Sequence, residues 1–148
     1  MKNTLLTSFV LSLTLALSSG ANAADTKDII KHRVAVMEAI GGHFGATLSS
    51  MKDMRQFDGN QVFHAESVAR LAKIAVDTFP AGSGDGKTKA LPEIWEKPDA
   101  FTKAMDDFVA KAEEFAVAAK ANDMKAYGGA AKALGQSCKG CHDDFKGK

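Results

Sequence analysis

The sequence has only two cysteines among its 148 residues, and it lacks any long apolar run after its first 17 positions. Two thiols are too few for a structural zinc site made from two cysteine pairs, which needs four ligands. Without an apolar stretch of about 20 residues, we expect no stable membrane insertion. Charge is balanced, with 19 basic and 18 acidic residues, so net charge gives no argument for nucleic-acid binding.

Both cysteines belong to one motif near the C-terminus, Cys138-Lys139-Gly140-Cys141-His142. C-x-x-C-H is the attachment pattern of a c-type haem, in which two thiols reach the two vinyl groups and the adjacent imidazole lies beneath the iron. A thioredoxin-like pair would follow a strand, and no strand pattern precedes the motif. A disulfide between residues three apart in a helix is geometrically awkward. We therefore predict one covalently attached haem c per chain, held by Cys138 and Cys141, with His142 as axial ligand.

The first 23 residues have the pattern of a secretory signal peptide that is cleaved. Lys2 precedes an apolar run over residues 5–17, and residues 21–23 read Ala-Asn-Ala, a small-residue cleavage site. The remaining residues, 24–148, are predicted to form a single domain. Because haem attachment requires export followed by reduced cysteines, the leader and the motif together favour a bacterial periplasm.

Apolar residues recur at steps of three and four through most of the domain, which predicts four amphipathic helices and no strand. The first spans residues 26–52, the second ends before Pro80, Pro98 begins the third, and Asn122 or Asp123 caps the fourth. The glycine-rich segment between the second and third helices is a long surface connection. The predicted inner stripe of the first helix is Ile30, Val34, Met37, Ile40, Gly41, Phe44, Leu48 and Met51.

These helices predict an all-α fold, an antiparallel four-helix bundle enclosing one covalently attached haem. Short joins link the first helix to the second and the third to the fourth, which favours antiparallel neighbours. Cys138, Cys141 and His142 share one face of the fourth helix because they are three and four residues apart. The haem is therefore expected inside the bundle, against the fourth helix, with the first helix on its other side.

A single C-x-x-C-H close to the C-terminus of an exported, four-helix chain resembles the class II c-type cytochromes, the cytochrome c′ family. C-x-x-C-H is specific for haem, and its C-terminal placement is specific for this family. The resemblance covers residues 25–148. It includes Arg33-x-x-x-Met37, the segment Gly41-Gly42-His43-Phe44-Gly45, the region from Trp95 to Phe101, and Cys138 to Lys146.

The resemblance implies two kinds of member, which differ on the distal side of the iron. High-spin members have an open sixth position and bind small gases, whereas low-spin members use a helix-one methionine as sixth ligand. Met37 is the matching residue, and we predict that it ligates the iron. High-spin members also carry methionine there without a bond to iron, so a methionine that only lines the pocket is the alternative.

Six further residues are predicted to line the haem pocket. Arg33 is placed to pair with a haem propionate, with a surface cation on a buried stem as the alternative. Gly41 removes a side chain where a flat macrocycle would approach, and Trp95 matches a family segment that lies against the haem edge. Phe145 follows His142 by three residues on the same face. The six pocket residues are Arg33, Gly41, Phe44, Trp95, Phe101 and Phe145.

The three histidines outside the motif are weaker candidates for iron ligands. His32 and His43 share a face of the first helix that points away from Met37, so both are predicted to face solvent. His64, near the start of the second helix, is predicted to be a surface residue.

Imidazole and thioether on one iron leave no open position, so the sequence predicts a periplasmic one-electron carrier with no catalytic residues. The alternative is a high-spin, five-coordinate haem that binds nitric oxide or carbon monoxide. Peroxidase-like chemistry would need a distal acid–base pair that the first helix does not offer. Expected partners are unidentified periplasmic redox proteins, and a homodimer through the first two helices, frequent among high-spin relatives, is left open.

Overall fold

The computed structural model describes residues 23–51, 59–121 and 123–148. Within them the chain forms five helices and no strand, and the one β-type pairing is an isolated bridge between Ala90 and Lys146. The predicted signal peptide lies almost entirely outside the described residues. The helices are α1 (Ala23–Ser50), α2 (Asn60–Val76), α3 (Glu93–Glu96), α4 (Pro98–Lys120) and α5 (Met124–Phe145).

Local signals account for where these helices begin. Asp123 caps α5, because its Oδ1 accepts hydrogen bonds from the backbone N–H groups of Lys125 and Ala126. Pro98 occupies the first turn of α4, where a missing N–H costs nothing. The single-turn helix α3 was not predicted; it follows Pro92 within the glycine-rich connection.

The four long helices form the predicted bundle. α1 packs on α2, α2 on α4, and α4 on α5. Phe115, Tyr127, Leu134 and Val68 are each at most 2% exposed and form the centre of the core. Alanines on α2 and α4 are also fully buried, which lets those two backbones approach closely. The prediction of an all-α, four-helix bundle is confirmed.

The buried face of α1 differs from the predicted stripe. Val34 and Leu48 are 43% and 45% exposed, so their inward assignment was wrong. Thr47 and Ser50 are buried instead, since each hydroxyl donates a hydrogen bond to a backbone carbonyl of its own helix and needs no water. The buried face of α1 is therefore rotated from the predicted stripe towards α2. Part of this face consists of polar residues whose hydroxyls bond to the backbone of α1.

No helix among the described residues is both long and apolar enough to cross a membrane.

Candidate haem site

The C-x-x-C-H motif lies in the last two turns of α5. Cys138 and Cys141 are half-buried free thiols that pack against the edge of the core. His142 is exposed at the end of the same helix, where its carbonyl accepts the N–H of Lys146. The helix thus presents both thiols and the imidazole within two turns, at the margin of the bundle.

Burial raises the pKa of both thiols. For Cys141 burial is the main cause, followed by the neighbouring Cys138 and Asp144, and together they raise the pKa to about 11. Burial also raises the pKa of Cys138. The thiolate is the form that enters disulfide exchange, so a raised pKa makes both thiols less reactive in such exchange.

Partial burial, and then the charge of Lys146, lowers the pKa of His142, while Asp143 opposes the shift. A lower pKa keeps the imidazole neutral over more of the pH range. Neutral imidazole is the form that coordinates a metal, so the electrostatics around His142 favour its predicted role as axial ligand.

α1 and α5 face each other and touch through long side chains at one end of the bundle. A Cβ atom placed on Gly135 would lie 3.8 Å from the ring of Phe44. A Cβ atom placed on Gly128 would lie 3.5 Å from Cε of Met51. Because the earlier residue of α1 pairs with the later residue of α5, the two helices run antiparallel.

This pairing sets the register of the two helices. Both contacts are related by a step of seven residues along each helix. A further seven residues in the same directions lead from Phe44 to Met37 and from Gly135 to His142. Met37, which is half-buried and packs at the edge of the core, therefore lies at the level of His142 on the facing helix.

Arg33 is 3% exposed, which rules out the interpretation as a surface cation. Nη1 donates to the carbonyl of Thr78 and to Oγ of Ser83, and Nη2 donates to the carbonyl of Ser83 and to Oγ1 of Thr88. Burial lowers the pKa of this guanidinium. Arg33 thus fastens the glycine-rich connection to α1, and the proposed propionate pairing would have to be an additional contact.

Trp95 lies in α3 and packs against the first part of the same glycine-rich connection. Its indole N–H donates to the carbonyls of Phe79 and Pro80, and its ring lies so close to Gly84 that a Cβ there would be 2.6 Å away. The guanidinium of Arg33 is 6.0 Å from the ring centroid of Trp95. Gly84 is the residue that this packing demands, a role that the sequence pattern did not reveal.

The predicted aromatic residues fall into two groups. Phe101 and Phe145 are buried, with ring centroids 5.2 Å apart in an edge-to-face arrangement. Phe79, which was not predicted, extends this pair at 4.9 Å from Phe101. Phe44 packs elsewhere, edge-on to Phe115 at 5.8 Å. Phe101 and Phe145 therefore lie beside the motif. Phe44 lies between α1 and α5 at the level of Gly135, seven residues before His142.

Gly41, Gly42 and Gly45 are all exposed on α1. A Cβ atom at any of the three would meet no atom of the described residues within 4 Å. Packing between the described helices therefore gives no reason for the three glycines, and the approach of a haem to Gly41 remains a proposal.

The histidines outside the motif are arranged differently from the prediction. His32 is exposed as predicted, but His43 and His64 are half-buried against each other, so the solvent-facing prediction was wrong for His43. Their Nδ1 atoms are 2.9 Å apart across α1 and α2. The two residues are 21 positions apart, and no periodicity signals such a pair.

The arrangement fits a covalently attached haem. Two half-buried thiols and an imidazole of lowered pKa are close together on α5, and Met37 stands at the same level on α1. The buried rings of Phe101 and Phe145 lie beside the motif. A four-helix bundle with a single haem attachment motif on its last helix defines a monohaem c-type cytochrome.

Comparisons with known proteins identify the family. The family model described as cytochrome C′ matches residues 28–146. Cytochrome c′ of Rhodospirillum rubrum is 32% identical over 133 residues, covering 89% of this chain and 90% of that protein. Cytochrome c-556 of Agrobacterium fabrum is 33% identical over 124 residues, covering 79% and 80%.

Solved structures agree. Cytochrome c prime from Shewanella frigidimarina superposes with a TM-score of 0.78 at 37% identity, covering 83% of this chain and 97% of that one. A nitric oxide complex of a cytochrome c prime variant from Alcaligenes xylosoxidans gives 0.76 at 27% identity, with the same coverage. The chain belongs to the cytochrome c′ family of class II c-type cytochromes, and it carries one covalently attached haem c.

Proposed function

We propose that this protein binds nitric oxide or carbon monoxide at a high-spin, five-coordinate haem. The observation that supports this proposal most strongly is the match of nearly the whole domain to cytochrome c′ and to solved cytochrome c′ structures, three of which are complexes with nitric oxide. When bound, the haem supplies an iron whose sixth position is open to a small gas. This proposal reverses the order of the two functions predicted from the sequence.

The side chains of α1 support a gas site that has no hydrogen-bond donor. Met37 and Phe44 are half-buried on the side of α1 that faces α5, so the wall they form is apolar. Arg33, one turn before Met37, has both terminal nitrogens engaged by the glycine-rich connection. A distal wall without a free donor does not stabilise bound oxygen by hydrogen bonding, whereas nitric oxide and carbon monoxide do not depend on such a donor.

The second candidate is the one-electron carrier in which Met37 ligates the iron. The register of α1 and α5 favours it, because Met37 lies at the level of His142 on the facing helix. Against it, the centre of the buried face of α1 lies at Arg33 and Ile40, so Met37 stands at the edge of that face. In this alternative, redox proteins are the partners, and fast turnover requires weak, transient docking.

The test is the absorption spectrum of the holoprotein, oxidised and reduced, before and after addition of carbon monoxide. We expect broad high-spin bands that shift promptly with carbon monoxide. Met37→Leu is expected to keep the high-spin spectrum and to change only the rate of gas binding, because it alters the wall and not the iron ligands. Met51→Leu, two heptads further along and directly after the end of α1, serves as the matched control.

Sharp low-spin bands and no response of the wild type to carbon monoxide would overturn the proposal. In that case Met37→Leu, but not Met51→Leu, would convert the protein to a high-spin form that binds carbon monoxide, and the carrier would be the better description.

We also propose that residues 1–23 export the chain to the periplasm, where haem is attached.

A further inference from the structure

The described residues contain one close pair of imidazoles away from the haem motif. Nδ1 of His43 on α1 and Nδ1 of His64 on α2 are 2.9 Å apart, with ring centroids separated by 5.1 Å and ring planes inclined by 55°. The two nitrogens therefore point towards each other across the contact between the two helices.

Phe63 forms an aromatic wall beside this pair. Its ring lies edge-on to both imidazoles, with centroids 5.6 Å from His43 and 5.4 Å from His64. Phe63 is 62% exposed, so the pair lies at the surface, where solvent reaches it. Phe63 limits rotation of both imidazole rings on its side of the pair, and both histidines are half-exposed.

The two nitrogens are close enough to become neighbouring ligands of one metal once their rings turn. With a metal–imidazole bond of about 2.0 Å, ligands at a right angle are about 2.8 Å apart and ligands at the tetrahedral angle about 3.3 Å apart. The observed 2.9 Å is close to the first value. Tetragonal coordination by nitrogen and oxygen is the preference of copper(II), which also binds imidazole most tightly among the divalent first-row metals.

We propose that His43 and His64 form a copper(II) site that joins α1 to α2, with water as the remaining ligands. Binding requires each ring to turn about its side-chain bonds until both lone pairs converge on one point. The metal then replaces the imidazole–imidazole hydrogen bond as the link between the helices. The site is independent of the proposed gas binding, since neither histidine belongs to the haem site.

The holoprotein offers few competing ligands. The sequence has four histidines and two cysteines, and the haem engages His142 and both thiols, which leaves His32, His43 and His64. His32 is an exposed histidine on the same helix as His43, so His32→Gln is a matched control. His43→Gln and His64→Gln each remove one proposed ligand.

The experiment is a calorimetric titration of tag-free holoprotein with copper(II), with zinc(II) as a comparison. We expect one copper per chain, weaker binding of zinc, and no effect of His32→Gln. Outer-sphere partners of a ligand already account for about 10- to 100-fold in metal affinity. Loss of His43 or His64 itself should therefore weaken copper binding at least about tenfold.

Electron paramagnetic resonance of the wild-type complex tests the ligands without any variant. Coupling of copper to two imidazole nitrogens is expected. Coupling to none or to one would overturn the proposal, as would a titration that is unchanged in His43→Gln and His64→Gln or abolished in His32→Gln. The haem absorption spectrum of each variant confirms that it is folded.

Discussion

At the scale of single residues, Arg33 shows how a charged side chain can be buried without a carboxylate partner among the described residues. Its terminal nitrogens donate to two backbone carbonyls and two hydroxyls, and its guanidinium lies 5.0 Å from the ring centroid of Phe79. A planar guanidinium with five donors on three nitrogens can reach all four acceptors, whereas a lysine ammonium has only three donors on a single nitrogen.

We therefore expect Arg33→Lys to lower the free energy of unfolding of the holoprotein by about 2–3 kcal/mol, because buried acceptors lose their donors. Arg70→Lys, the same change at an exposed position of α2, should have little effect. Urea unfolding followed by circular dichroism measures both. Equal stabilities for the two variants would show that Arg33 does not hold the connection. A shift in redox potential for Arg33→Lys alone would indicate the propionate contact.

At the scale of one element, α1 contacts two neighbouring helices, α2 and α5, through different faces. Its buried face packs on α2, His43 lies at one margin of that face, and Met37 lies at the other, facing α5. Gly41 falls one turn after Met37 on the same side. The three exposed glycines cost the helix stability and have no described protein contact to explain them.

The glycines can be compared with one another. Replacement of Gly42 or Gly45 by alanine should stabilise the holoprotein by up to about 1 kcal/mol, the difference in helix propensity. Gly41→Ala should lose this gain and alter the haem absorption spectrum, because a methyl group there would meet the macrocycle. Urea unfolding and the spectrum provide the two readouts. If all three variants behave alike, Gly41 is not a haem contact.

At the scale of the whole molecule, several large apolar side chains of the first two long helices face solvent. Val34, Leu48 and Ile74 are each more than 40% exposed. Exposed apolar surface of this kind is typical of a protein interface. Val34 and His43 are nine residues apart on α1, which is half a turn around the helix. This apolar surface and the His43–His64 pair therefore lie on opposite sides of α1.

We expect the holoprotein to be a homodimer through α1 and α2, and Leu48→Lys to shift it towards the monomer because the interface would bury the new charge. Val117→Lys, at an exposed valine of α4, should leave the dimer intact. Sedimentation velocity at several concentrations measures both effects. A monomeric wild type would contradict this expectation.

Features that depend on short spacing could be predicted from the chain alone. Cys138, Cys141 and His142 are adjacent in the chain, so the motif alone specified the haem, and local periodicity with Pro98 and Asp123 specified most helix boundaries. The packing of the helices was needed to show which face of α1 is buried, since Thr47 and Ser50 pack inward once their hydroxyls have backbone partners. The same packing brings Arg33 into hydrogen bonds with a connection 45 to 55 residues away, and it places His43 against His64. Such contacts join residues far apart in the chain, and they depend on how two helices are rotated against each other, which periodicity within one helix does not encode.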